Sequence, residues 1–150
     1  MEDFAGACLA RKKDAEALLK LQDHNIAALH LGGISIECRL KSLLADYHSI
    51  SEWDEKSRRK KDSMFNQQIH NPGHSLTTAL RHMPELFKLA KSDQQLLKHL
   101  NCLIYPLGAT SVDYIGLRYV DQASSIQRDE WKKSFDYVYG WLEKNEVRIG

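Results

Sequence analysis

Three ionisable residues, His30, Glu37 and Lys41, stand seven and four positions apart. On a helix turning 100° per residue they fall within about 40° of one another. Apolar residues flank them on both sides, so the polar stripe lies in a surface otherwise built for burial. A buried carboxylate is expensive unless it is paired, and Lys41, four residues after Glu37, has the favourable orientation for that pair. Two uses suit the arrangement: an ion pair that fixes helix register, or a carboxylate lining a cleft or a dimer seam.

A second group lies downstream, where His70 and His74 flank Asn71-Pro72-Gly73 and lead into Ser75, a residue suited to capping a helix. A helix N-terminus attracts anions, and two imidazoles beside it could help hold a phosphate. The plainer reading is a pair of neutral loop histidines. No metal is expected there, because the intervening proline excludes helical i, i+4 geometry and no third ligand is indicated. Arg58, Arg59, Lys60 and Lys61 form a basic run that could grip the phosphates of a nucleotide or RNA. Glu52, Asp54, Glu55 and Asp62 nearly balance it, as on a solvated loop face.

Gly32-Gly33 costs about 1 kcal/mol per glycine relative to alanine inside a helix. Such a cost is tolerated where another backbone comes close; a pocket for a nucleotide is the competing use. Cys8, Cys38 and Cys102 are odd in number and widely spaced, which offers neither a disulfide framework nor a CxxC knuckle and reads as reduced thiols. No GxGxxG, GxxxxGK[ST], GxSxG or HExxH occurs, so the common catalytic templates are missing.

The elements that must position these groups read as helices almost everywhere, because no run alternates with period two for long enough to suggest a strand. The first covers about Asp3 to Leu21, with Leu18 and Leu19 facing inward, and Asp23 is placed to cap the next. The second, about Asn25 to Asp46, is apolar around most of its circumference and therefore central. A long charged connection follows, at about 47–73. Leu76, Leu80, Met83 and Phe87 mark a helix that Pro84 must kink or restart. Leu96, Leu97, Leu100, Leu103 and Ile104 mark another, ended by Pro106, and one more short helix is expected within 108–120, through Tyr114, Leu117 and Tyr119. The last opens with the capping-box pattern Ser124-Ser125-Ile126-Gln127 and carries Trp131, Phe135, Val138 and Leu142 on one stripe.

With 150 residues, 43% hydrophobic and 27% charged, the chain reads as one all-α domain, an up-and-down bundle of four to five helices. Its 21 basic and 20 acidic residues cancel, so overall charge argues for neither nucleic acid nor membrane. The uncharged run Leu100 to Val112 holds 13 residues including Pro106, too short for a bilayer, and the first residues do not form a secretory signal. A cytoplasmic protein with no membrane contact is expected.

The run Asp14 to Leu44, DAEALLKLQDHNIAALHLGGISIECRLKSLL, resembles the first two helices of HEPN-domain proteins, most closely in the box Ile36-Glu37-Cys38-Arg39-Leu40-Lys41. Gly73-His74-Ser75-Leu76 is similar to the family's Gly-His-Asp-Leu helix start, and Gly116-Leu117-Arg118-Tyr119 to its Leu-Arg-Tyr segment before the last helix. The resemblance implies a HEPN-like bundle, a homodimer, and a prokaryotic toxin–antitoxin or defence setting, often beside a nucleotidyltransferase-type partner. Ribonuclease members carry an arginine, four to six residues and then a histidine, and cut RNA at the dimer interface without metal. Here none of the seven histidines has an arginine five to seven positions before it, and no histidine follows Arg118.

The expectation is therefore a non-catalytic HEPN-like module without cofactor or metal, dimerising through its central helices. It would bind a nucleotide, RNA or a protein partner through Lys41, Arg58, Arg59, Lys60, Lys61, His74 and Arg118. The rival is a metal-independent ribonuclease with an atypical site made from Glu37, Arg118 and His74, and a third option is an interaction module without a ligand. Arg118 is expected to be partly buried and paired with Glu37.

Overall fold

In the computed structural model the described residues are 3–21, 23–50 and 71–146, with the backbone of 58–59 and 68–69. Helix α1 (Phe4–Leu19) starts where the Asp3 carboxylate accepts the Gly6 N–H at 2.8 Å. Helix α2 (Asn25–His48) lies antiparallel to it: Ser35, midway along α2, donates to the Cys8 carbonyl at 2.8 Å. The expected cap on α2 is not made by Asp23. That residue adopts the left-handed conformation, φ 64°, and turns the chain, so His24 takes the N-cap position without a side-chain bond.

Helix α2 runs through His48, so the long connection begins later than the sequence suggested, and Ser49 closes the helix with φ 56°. Within that connection, Arg58–Arg59 pairs antiparallel with Gln68–Ile69. Helix α3 (Leu76–Arg81) begins on Ser75, whose hydroxyl accepts the Thr78 N–H at 3.1 Å. Pro84 restarts the chain as α4 (Pro84–Lys91), since proline cannot donate to the preceding turn. Helix α5 (Gln94–Ile104) follows, capped by Asp93, then a 3-10 turn at Gly116–Tyr119, then α6 (Ser125–Asn145), which carries the expected capping box of Ser124 and Gln127. The molecule is thus an all-α bundle, with six α-helices among the described residues because Pro84 divides one expected helix in two.

Helix directions follow from side-chain contacts. Asp93 meets Tyr137 and His99 meets Ser134, so α5 and α6 are antiparallel. Gly32 packs on Trp131 while Arg39 bonds Glu146 further along, so α2 and α6 are parallel. Helices α1, α2, α5 and α6 therefore alternate in direction, with α3 and α4 inserted. The core gathers Leu29, Ile36, Leu40 and Leu44 of α2 with Trp131, Phe135, Val138 and Leu142 of α6 and Leu96, Leu100 and Leu103 of α5. Each such side chain contributes roughly 1.5–3 kcal/mol by leaving water. Leu19 of α1 packs against this core. No described helix is long and apolar enough to cross a membrane.

A carboxylate and imidazole at the mouth of a cleft

The polar stripe of α2 organises the candidate site. Glu37 is only 7% exposed, and its two oxygens receive three donors. Lys41, one turn on, donates its Nζ to Oε2 at 3.2 Å. Oε1 takes the Tyr114 hydroxyl at 2.6 Å and faces His74 Nδ1 at 2.8 Å. The same hydroxyl lies 2.8 Å from the His74 carbonyl, so its single proton is shared between two acceptors.

Tyr114 is held at every polar atom. Its N–H donates to the Ile104 carbonyl at 2.9 Å, and its own carbonyl lies 2.7 Å from His30 Nδ1. Its ring crosses α2 at Gly33, where an added Cβ would stand 2.5 Å from a ring carbon. The expected close packing at the glycine pair is thus present, against aromatic rings rather than a backbone: Gly32 accommodates Trp131 as Gly33 accommodates Tyr114. His30, Gly33 and Glu37 share one face of α2, and all three serve Tyr114.

Burial first, and the bond to Glu37 second, push the Tyr114 phenol above its ordinary value of 10.0. Burial and then the Glu37 charge push the Cys38 thiol up to about 11. Cys8, Cys38 and Cys102 are all unpaired thiols. The high value leaves Cys38 protonated at neutral pH and poor as a nucleophile.

His74 is the part of this network that reaches water, with its side chain 61% exposed. A carboxylate opposite Nδ1 places the ring proton there and leaves Nε2 to accept or deliver a proton. The imidazole stands on the rim of an open cleft of about 510 Å³ between α3, α5 and the segment before the 3-10 turn, lined among others by Thr77, Asn101, Tyr105 and Asp113. Among the described residues that line it, His74 is the one able to carry positive charge.

Arg118 does not join this cluster, contrary to the sequence expectation. It is exposed, donates Nε to the Ile115 carbonyl at 3.1 Å and holds its guanidinium 5.3 Å from the Tyr119 ring. The 3-10 turn buries Leu117 completely and so directs the next residue outward, and Glu37 already has three donors. Lys41 is likewise committed, buried between Glu37 and the Phe4 ring 5.6 Å away. Arg58, Arg59, Lys60, Lys61 and His70 have side chains outside the described residues. Tyr114 and the role of His30 are the features that sequence reasoning missed. Gly33, one turn before Glu37, signals that something bulky crosses the stripe, but not which of six tyrosines it is. Among the described residues no group of three or more His, Cys, Asp or Glu could hold a metal ion.

Fold and site together define an all-α bundle in which a buried carboxylate positions a solvent-facing imidazole at a cleft. Compared with known proteins, the chain matches no family model, no curated protein and no solved structure.

Proposed function

We propose that this chain is a HEPN-like module that binds a nucleotide or a segment of RNA in the His74 cleft without cleaving it. The observation that carries the reading is the Glu37–His74 contact at 2.8 Å, which orients an exposed imidazole toward a cleft of nucleotide size. Protonated, that imidazole can hold a phosphate; Tyr105 offers a ring face for a base and Asn101 an amide for its edge. Phosphodiester cleavage asks for a further cation on the developing charge, and the described lining offers none beyond His74. Calorimetric titration with AMP and with a short single-stranded RNA tests this. Binding that weakens about tenfold in His74→Ala is expected, and no binding by the wild type refutes it.

The same resemblance supports a cytoplasmic homodimer acting beside a nucleotidyltransferase-type protein in a toxin–antitoxin or defence setting. Light scattering on the purified chain, and co-purification with that partner, test those parts.

A second reading, a metal-independent ribonuclease, is favoured by the same carboxylate–imidazole pair, since Nε2 could exchange a proton with a ribose hydroxyl. RNA cut in the presence of chelator by the wild type, and left intact by a folded His74→Ala variant, would replace the binding reading with this one.

A further inference from the structure

A second groove, of about 390 Å³, runs between α6 and the turn that joins α4 to α5. Tyr137, Gly140, Trp141, Lys144 and Asn145 form its α6 wall, Asp93 stands on the other, and it shares no residue with the His74 cleft. Gly140 is the anomaly. It lies inside a 21-residue helix, where glycine costs about 1 kcal/mol relative to alanine. The rings of Trp131 and Tyr114 account for Gly32 and Gly33, whereas a Cβ at Gly140 would meet nothing within 4 Å. Gly140 is exposed on the α6 wall, so its missing side chain leaves the groove unobstructed at that point.

Two donors on the α6 wall lack partners among the described residues. The Lys144 ammonium makes no ion pair and the Trp141 indole N–H no hydrogen bond among the described residues. Asn145 is 6% exposed; its Nδ2 donates to the Trp141 carbonyl at 2.8 Å, and its Oδ1 has no partner among the described residues. Asp93, by contrast, is satisfied by the Leu96 N–H at 3.0 Å and the Tyr137 hydroxyl at 3.0 Å. The groove thus presents one ammonium and one N–H beside an aromatic wall, and the Asp93 carboxylate on the facing wall disfavours a dianion.

We propose that this groove is a binding site for a small aromatic carboxylate, its ring lying over Gly140 against Trp141 and its single negative charge on Lys144. The probe is 2-naphthoate, titrated by calorimetry into the full chain beside its neutral counterpart 2-naphthalenemethanol and inorganic phosphate. Naphthoate should bind, the alcohol about tenfold more weakly, and phosphate not at all. Gly140→Leu fills the groove and should abolish binding without lowering the melting temperature; Lys144→Met, at an exposed position, should weaken it about tenfold. His74→Ala should bind naphthoate as the wild type does, which separates this site from the first. No heat with naphthoate, unchanged binding in folded Gly140→Leu, equal affinity for the alcohol, or loss in His74→Ala would each overturn the proposal.

Discussion

At Glu37 the balance between burial and pairing can be read one atom at a time. Its carboxylate, Lys41 and Tyr114 are all out of water, so each is tolerable only because the others are present. Glu37→Ala should therefore cost roughly 3 kcal/mol, because it leaves the Lys41 ammonium buried beside Phe4 with no counter-charge. Adding Lys41→Met to that variant should recover more than half of the loss, since it removes the stranded charge. Urea unfolding of the wild type, both singles and the double checks this, and a double variant no more stable than Glu37→Ala defeats the argument. The Glu37–Lys41 half of the pairing was legible in the sequence because i, i+4 spacing on a helix is a local geometric fact. His74 was legible as a candidate through the turn before Ser75. Arg118 was misassigned because a charge late in the chain says nothing of which way a 3-10 turn will face it, and the burial of Leu117 decided that.

Among the elements, α2 and α6 show why identical residues carry different meanings. A methyl on Gly33 would stand 2.5 Å from the Tyr114 ring, whereas one on Gly140 would meet nothing. Gly33→Ala gains about 1 kcal/mol of helix propensity but overpacks a filled interface, at a cost of roughly 1–3 kcal/mol. It should be net destabilising and should displace Tyr114 from Glu37. Gly140→Ala keeps the gain and should stabilise by up to about 1 kcal/mol. Paired melting curves test both signs, and a stabilising Gly33→Ala would show that the ring yields freely. Helix ends were legible wherever their chemistry is local: Ser75, Pro84 and the Ser124–Gln127 box all act within one turn. Asp23 was not, because two adjacent residues, Asp23 and His24, could each open α2, and the backbone placed Asp23 in the turn.

For the molecule as a whole, the helical class was written in the spacing of apolar residues, while the meeting of Glu37, His74 and Tyr114 depends on contacts 37 and 77 residues apart, which periodicity does not encode. That long-range cluster gives the bundle a specific alkaline weakness. Cys38, held up to about 11 against an ordinary 9.0, and Tyr114, held above its ordinary 10.0, both keep their protons more tightly folded than unfolded. Their contribution to stability is complete below pH 9. As pH climbs, the unfolded chain sheds these protons first, so the native state binds more protons than the unfolded one and the unfolding free energy falls, by up to about 1.4 kcal/mol per pH unit for each group. Urea midpoints should therefore hold steady from pH 7 to about 8.5 and drop between about 9 and 10.5. The diagnostic comparison is with Tyr114→Phe and Cys38→Ala, which should each flatten the decline. A wild-type midpoint that stays level to pH 10.5, or variants that fall as steeply, would mean that the buried acids around Glu37 are not coupled to folding in this way.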